Sequence, residues 1–326
     1  MISVGMISKW HVHAGGYADQ LREIPGANIA AVWDENPARG EEWAKELGVP
    51  FFADYEAFLA SDIKAIVCDS PTMMHTALLT KAAAAGKYIF TEKLLATSTE
   101  DALKIAEAVR ENGVSFTISL PCKSDPTVQY VKQLVQGGKL GKVTGARFRR
   151  SHSGVSGNWL PSYWFNLEES GGGALMDLGA HPVYVLAELF GMPKRLAALM
   201  TNLYGTSSDE NTIALAEFEG GMLGTMETAF VTDCVPDILE VYGTKGAVYV
   251  RGDEVIQALR ADGGNLVPVP AEALPEAKPS PLAQFIAACE AGGPNPAGFD
   301  LEDAVIMTRM IEAAYQSEAS GKTITF

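Results

Sequence analysis

The chain is expected to be a two-part α/β protein. A doubly wound parallel sheet spans residues 1–121, and an α+β half with a mostly antiparallel sheet spans residues 122–326. Three observations lead there. Apolar strand-like runs alternate with helical stretches up to about residue 120. Strand follows strand, with glycine turns between, from about 194 to 258. The length of 326 residues suits two domains at about 100–200 residues each. Strand–helix alternation implies right-handed crossovers and a parallel sheet, whereas consecutive hairpins imply antiparallel pairing.

In order, Ile2 to Ile7 is a short apolar run suited to a buried parallel strand. Residues 14–24 read as a helix, and "NIAAVWD" as a second strand ending in Asp34. Pro37 can open the next helix and Gly48 can close it. "KAIVCDSP" is a strand running into a turn, "MMHTALLTKAAAAG" a helix ended by Gly86, and "KYIFTEK" a further strand. The helix from Ser98 begins with an N-cap serine and Asp101 three residues on, and stops at Gly113. "VSFTISL" is the next strand. A helix at 125–137 and a strand in "KVTGARFRRSHSG" follow, and "SGGGALMDLGAHPVYVLAELFG" leads from glycines into one long helix. Hairpin turns fall at Gly220–Gly221 and Thr244–Gly246. Residues 262–281 read as an irregular connection, and helices near 281–291 and 300–318 finish the chain.

Hydrophobic residues make up 47%, enough for a sizeable core. The net charge of −15 repels phosphate backbones and anionic membranes, so nucleic acid and membrane partners are not expected. Cys68, Cys122, Cys234 and Cys289 are widely spaced, which suits reduced thiols rather than a zinc knuckle or redox dithiol. The start of the chain has no signal-peptide pattern and no run approaches a membrane span, so a cytoplasmic location is expected.

In a doubly wound sheet, ligands bind beyond the carboxyl ends of the strands. Those ends are Ser8–Trp10, Asp34, Ser70–Pro71 and Glu92–Lys93. A carboxylate at Asp34 can accept hydrogen bonds from an adenosine ribose, and with Glu35 it would repel a 2′-phosphate, so NAD is expected over NADP. The glycines that usually line the first turn are absent: Ser8, Lys9 and Trp10 stand there, followed by His11 and His13. The two histidines flank a cofactor phosphate or ribose, or one lines the pocket while the other packs. A metal pair of the His-x-His kind is the alternative, and a barrel metallohydrolase would carry one, but the second half lacks the strand–helix rhythm of a barrel. No metal is expected. Lys93 can pair with a negative ligand or lower a hydroxyl pKa; a solvated lysine beside Glu92 is the plain alternative.

In the second half, Asp177 and His181 are four apart and would share a helix face. A carboxylate beside an imidazole can handle a proton near neutral pH, and the glycines before them permit close approach of backbone to a ligand. An N-cap aspartate and a packed histidine would give the same pattern. Trp10, Trp159, Tyr163 and Trp164 can stack on a ring. Trp10 joins the candidate cofactor contacts, whereas Trp159, Tyr163 and Trp164 with His152, Asn158 and Tyr184 form the candidate substrate set, all but Tyr184 within a proline-bearing loop over 152–166.

"PTMMH", "TEKLLA" and "MDLGAHPVYV", in that order, resemble the motifs of the glucose–fructose oxidoreductase/inositol dehydrogenase (Gfo/Idh/MocA) family across essentially the whole chain. The resemblance implies an N-terminal Rossmann domain and a C-terminal α/β domain with a large open sheet that commonly joins subunits, hence a homodimer or homotetramer. It puts Thr72 and His75 near the cofactor, makes Lys93 the catalytic lysine, and makes Asp177 and His181 the proton-transfer pair. Three positions depart from the family pattern: "SKWHVH" in place of the glycine loop, Leu94 in place of proline, and Tyr184 where inositol dehydrogenases often carry a second aspartate. The implied reaction is hydride transfer between a nicotinamide and a sugar, polyol or keto-sugar. Related alternatives are a glycosidase or lyase using NAD transiently, a non-catalytic NAD- or sugar-binding protein, and a metallohydrolase using His11 and His13.

Overall fold

The computed structural model describes residues 1–292 and 295–326. Its contacts divide the chain into two compact units: Met1–Leu120 with Pro279–Thr308, and Pro121–Lys278 with Arg309–Phe326.

The first unit is built on a six-stranded parallel sheet of order β3-β2-β1-β4-β5-β6. The strands are β1 (Ile2–Ile7), β2 (Ala27–Trp33), β3 (Phe51–Phe52), β4 (Ala65–Cys68), β5 (Tyr88–Thr91) and β6 (Phe116–Ile118). Helices α1 (Ala14–Glu23), α2 (Pro37–Leu47), α3 (Tyr55–Leu59), α4 (His75–Ala84) and α5 (Thr99–Asn112) connect them. The short β3 and α3 fall where the sequence pattern is too brief to register. Caps follow the local chemistry: Asn36 caps α2 with Pro37 at its first position, Gly48 ends it at φ 74°, and Ser98 accepts from Asp101 N to open α5. Gly40, inside α2, has no Cβ because one would overlap the Asp34 Cβ and the Phe51 ring; its smallness lets the helix lie tight on β2.

The parallel register decides where polar groups fall. The last paired residues are Ile7↔Trp33, Ile7↔Cys68, Cys68↔Thr91 and Thr91↔Ile118. The next residue of each strand is therefore Asp34, Ser8, Asp69, Glu92 and Ser119, side by side in one row across the sheet edge. One further backbone bond in each gap holds this row, from Ser8 N to Trp33 O (2.7 Å), Asp69 N to Ile7 O (2.8 Å), Glu92 N to Cys68 O (3.0 Å) and Ser119 N to Thr91 O (2.9 Å).

Helix α9 (Pro281–Ala291) belongs to this first unit, although a division at 121/122 assigns it to the second half. Leu282, Phe285, Ile286 and Cys289 bury their side chains in the same core as Val4, Met6, Leu21, Val67 and Phe90. An apolar helix face follows the core that accepts it, not its position along the chain.

The second unit carries a nine-stranded sheet of order β14-β13-β12-β11-β7-β10-β9-β8-β15. Its strands are β7 (Val143–Ser151), β8 (Arg195–Thr201), β9 (Asn211–Glu217), β10 (Leu223–Ala229), β11 (Ile238–Gly243), β12 (Gly246–Arg251), β13 (Glu254–Leu259), β14 (Val267–Val269) and β15 (Ile324–Thr325). Every pairing is antiparallel except β7 with β10. The turns at Gly220–Gly221 and Thr244–Gly246 join β9 to β10 and β11 to β12. Residues 262–281 are not wholly irregular, since β14 pairs there with β13. Helices α6 (Pro126–Gln136), α7 (Leu167–Ser170) and α8 (Ala180–Phe190) accompany the sheet, and α10 runs Leu301–Ser320. No helix among the described residues is long and apolar enough to cross a membrane.

The long helix expected after the glycine run starts later than the sequence suggests. Residues 174–179 form turns and α8 starts at Ala180, so Asp177 precedes the helix. The glycines there serve a protein contact rather than a ligand: a Cβ on Gly173 would fall on the Asp209 carbonyl oxygen. Asp209 accepts from Gly173 N (2.9 Å) and Leu175 N (2.8 Å), its carbonyl accepts from Ala174 N (2.8 Å), and Tyr315 OH donates to its carboxylate (2.7 Å).

Farther along α8, Glu188 receives Lys123 Nζ at 2.9 Å and also pairs with Lys132, tying the Pro121–Ser124 turn and α6 to α8. Burial alone would raise the Glu188 carboxyl, but the two lysines outweigh it and hold the group below its usual range. A depressed folded pKa contributes stability above the unfolded value of about 4.3 and loses it as pH falls through the folded value. Glu188→Gln, which removes the charge that Lys123 and Lys132 share, is expected to cost about 3 kcal/mol near pH 7. In urea unfolding, that difference should shrink at about pH 3; a difference that does not change with pH would contradict the assignment.

Candidate active site

In the first unit the row at the sheet edge holds Ser8, Asp34 and Glu92 of the residues expected to meet a cofactor, and Lys9, Ser70 and Lys93 each directly follow a member of it. Asp34 is buried and its carboxylate is fully engaged. Oδ1 accepts from Asn36 N (2.8 Å) and Arg39 Nη2 (2.6 Å), and Oδ2 from Lys9 N (2.9 Å) and Arg39 Nε (2.9 Å). Arg39 Nη2 also reaches Glu35 Oε1 (2.5 Å) and Ser8 Oγ (3.2 Å). Burial works against the Arg39 charge, but Asp34 and Glu35 outweigh it and raise its pKa further, so the guanidinium is fixed and already neutralised. Sequence reasoning missed Arg39; its place five residues after the strand-end aspartate, on the first turns of the helix, was the available signal.

Ser8 adopts φ 69°, the left-handed conformation that a glycine would otherwise supply in this turn. Its Oγ accepts from Trp10 N at 3.1 Å. Trp10 is 6% exposed, so it packs rather than offering a free face. Lys9 turns to Glu46 (2.6 Å) with its ammonium 5.7 Å from the Trp43 ring. Ser70 and Pro71 are buried, Thr72 partly so. His75 is fully buried, with Nδ1 3.2 Å from Leu95 O and Nε2 3.1 Å from Ser70 O, so both nitrogens face backbone carbonyls and the ring ties the β4 turn to residues 92–96.

Glu92 is the centre of this edge. Its Oε1 accepts from Tyr17 OH and lies 2.7 Å from His13 Nδ1; its Oε2 accepts from Lys93 N at 2.8 Å and lies 3.8 Å from Lys93 Nζ. Tyr17 OH is also 2.6 Å from Ser119 Oγ. Burial by itself would push the Glu92 carboxyl up, but Lys93, His11 and His13 outweigh it and hold it well below the usual range. Lys93 is 4% exposed, so the plain reading of a solvated lysine is set aside; its peptide to Leu94 is cis. Beside Glu92, Asp69 is 0% exposed, and burial followed by the Glu92 charge pushes its carboxyl well up. Tyr17 stands one helical turn after His13 and Asp69 at a strand end, signals the sequence carried without a partner to give them meaning.

In the second unit, His181 is 5% exposed at the start of α8. Its Nδ1 is 2.7 Å from Tyr184 OH and 3.4 Å from Cys122 Sγ. Tyr184 is buried, and its oxygen accepts from Cys122 N at 3.0 Å. Burial, then the neighbouring Cys122, raises the phenol well above its ordinary pKa, so the proton stays on oxygen. Tyr184 therefore contacts the candidate proton carrier directly, whereas sequence reasoning placed it on the substrate. Asp177 Oδ2 accepts from Trp164 Nε1 at 3.3 Å, and Trp164 is 3% exposed, so this ring positions Asp177 instead of presenting a stacking face. His152 stacks on Phe230 at 5.0 Å and accepts from Gly154 N (3.0 Å), with Trp159 4.8 Å away. Trp159 is 54% exposed and Asn158 sits at φ 52°, so this loop does present an open aromatic face. Tyr163 is half-buried. Arg150, missed in the sequence, donates to Cys122 Sγ (2.9 Å) and pairs with Asp237 (3.3 Å), and these line a cavity of about 370 Å³ with Asp125 and Phe148.

Comparison with known proteins gives a consistent result. Residues 1–120 match the oxidoreductase family with an NAD-binding Rossmann fold, and residues 128–249 match the GFO/IDH/MocA C-terminal domain. The chain is 25% identical over 260 residues to scyllo-inositol 2-dehydrogenase (NAD(+)) of Bacillus subtilis, covering 77% of this chain and 72% of that one. It is 27% identical over 245 residues to 2,7-anhydro-N-acetylneuraminate hydratase of Escherichia coli, covering 73% of this chain and 64% of that one. In fold it is similar to a levoglucosan dehydrogenase solved with NADH and levoglucosan, at a TM-score of 0.86 and 19% identity over 99% of both chains.

Tyr184→Phe keeps the ring but removes the hydroxyl that serves His181 and Cys122 N. It is expected to cost about 1–3 kcal/mol, since a buried amide is left without its acceptor. Chemical denaturation measures this, and an unchanged midpoint would show that the Tyr184 hydroxyl does not hold the His181 ring.

Proposed function

The chain belongs to the GFO/IDH/MocA family of NAD-binding oxidoreductases, and we propose that it transfers hydride between a nicotinamide and a secondary hydroxyl or carbonyl of a sugar or polyol. The observation that carries this is Lys93: a nearly fully buried ammonium beside Glu92 at a strand end, where ligands of a doubly wound sheet bind. The relatives' names, an inositol dehydrogenase and a levoglucosan dehydrogenase among them, supply the substrate class.

The first unit suits a dinucleotide: it offers a buried carboxylate at the end of β2 and, in Ser8, a left-handed turn after β1. Ser8, Lys9, Trp10, His13, Asp34, Ser70, Pro71, Thr72, His75, Glu92 and Lys93 are the proposed cofactor contacts, by side chain or backbone. The nicotinamide, when bound, supplies the hydride acceptor or donor. Lys93 stabilises negative charge on the substrate oxygen. His181 takes or returns the hydroxyl proton at Nε2, in the tautomer whose Nδ1–H donates to the Tyr184 oxygen. Asp177 favours the charged imidazole. His152, Asn158, Trp159 and Tyr163 form the proposed sugar-facing loop. NAD is preferred over NADP because Arg39 is spent on Asp34 and Glu35, two carboxylates that repel a 2′-phosphate.

A second reading, in which hydride is taken and returned within one turnover, is favoured by the hydratase among the relatives. Retained NAD without net NADH release distinguishes it.

The exposed apolar residues Leu199, Ile213, Leu215 and Leu223, on β8, β9 and β10, support a homodimer or homotetramer closed by this sheet face. The acidic chain, the reduced cysteines and the substrate class accord with a cytoplasmic enzyme.

Lys93→Met is expected to lower kcat at least about 100-fold, the scale of one lost oxyanion donor, while NADH still binds. Turnover near the wild-type rate would refute the role given to Lys93. NADH should bind at least about 10-fold more tightly than NADPH, or about 1.4 kcal/mol, in fluorescence titration; tighter NADPH would refute the reading of Arg39. Leu199→Glu with Leu215→Glu should reduce the mass found by light scattering to a monomer; an unchanged mass would move the interface elsewhere.

A further inference from the structure

We propose that the turn after β1 holds a divalent transition-metal ion, ligated by His11, His13 and Glu92 with Asp69 beside it. The inference goes beyond the oxidoreductase reading and does not depend on it.

Two observations support it independently. One nitrogen of each histidine and one carboxylate oxygen of Glu92 lie within 4.8 Å of one another. Two imidazoles and a carboxylate form a set that zinc and its first-row neighbours accept, with further coordination positions open. Separately, both carboxylate oxygens of Asp69 are buried without a hydrogen-bond partner, although the side chain is 0% exposed. Buried polar atoms are nearly always satisfied, and an unsatisfied one in a native site points to a missing ion or water. Asp69 is the neighbour of Glu92 in the strand-end row, and its carbonyl accepts from His11 N at 3.0 Å, so the orphaned acid and the histidine turn share one place.

The geometry supplies the outer contacts such a site needs. Tyr17 OH donates to Glu92 Oε1 and Lys93 N to Oε2, so the carboxylate is oriented before any ion arrives. The imidazole rings of His11 and His13 are 4.6 Å apart, and the side chain of His13 is 47% exposed, which gives an entry path from solvent. Ligation draws His13 away from its hydrogen bond to Glu92 and takes a lone pair from each ring.

The test uses the full chain, stripped by chelator and carrying Cys234→Ser so that the exposed thiol does not compete. Zn²⁺ is titrated by calorimetry, and Co²⁺ is followed by its visible absorption bands. One equivalent should bind. His13→Gln, at a half-exposed position, should weaken binding at least about 100-fold, beyond what outer-contact losses produce. Asp69→Asn keeps the shape, removes the charge and should also weaken it. Circular dichroism confirms that both variants are folded. No binding to the parent chain, or binding that neither substitution alters, overturns the proposal. Because no cofactor or substrate is present, the result is independent of whether the chain oxidises sugars.

Discussion

Parallel register is the constraint on which the first unit depends. Four strand pairings end at the same level, so the next residue of five strands forms one line: Asp34, Ser8, Asp69, Glu92, Ser119. None of these is near another in sequence. A one-residue slip in any strand would turn its member of the line to the opposite face. The apolar interiors of β1, β4 and β5, buried almost throughout, hold the register and so hold the polar line.

Within that line the electrostatics divide into two clusters. Asp34 and Glu35 neutralise Arg39 at one end. Toward the other, Glu92 concentrates charge: a lysine, two histidines and a tyrosine converge on one buried carboxylate. That carboxylate keeps Lys93 at the strand end. In the second unit a different acid does comparable work. Asp209 pins residues 173–175 by backbone bonds, and this sets Asp177 and His181 at the entrance to α8.

The alternating half was readable because its signals are local. Proline at a helix start, glycine at a helix end and short apolar runs specify each element within a few residues, as at Pro37, Gly48 and Ser98. The hairpins of the antiparallel sheet announced themselves at Gly220–Gly221 and Thr244–Gly246 for the same reason. Features that depend on distant contacts were not readable. The membership of α9 in the first unit is decided by Phe285 meeting Phe90, and the need for Gly173 by the backbone of Asp209. Tyr184 as the partner of His181 needed the helix start to be known to within one residue. Arg39, Tyr17 and Asp69 are unremarkable letters until the register places them beside Asp34 and Glu92.

The central claim is direct hydride transfer to or from a carbon bearing oxygen. Its most direct test is to follow deuterium from nicotinamide labelled at C4 into a panel of keto-sugars and keto-polyols, with products read by mass spectrometry and proton NMR. The account predicts deuterium on the new CH–OH carbon of a product, with none exchanged into water. Label that stays on the nicotinamide with every carbonyl compound, or a product whose new C–H comes from solvent, would contradict it.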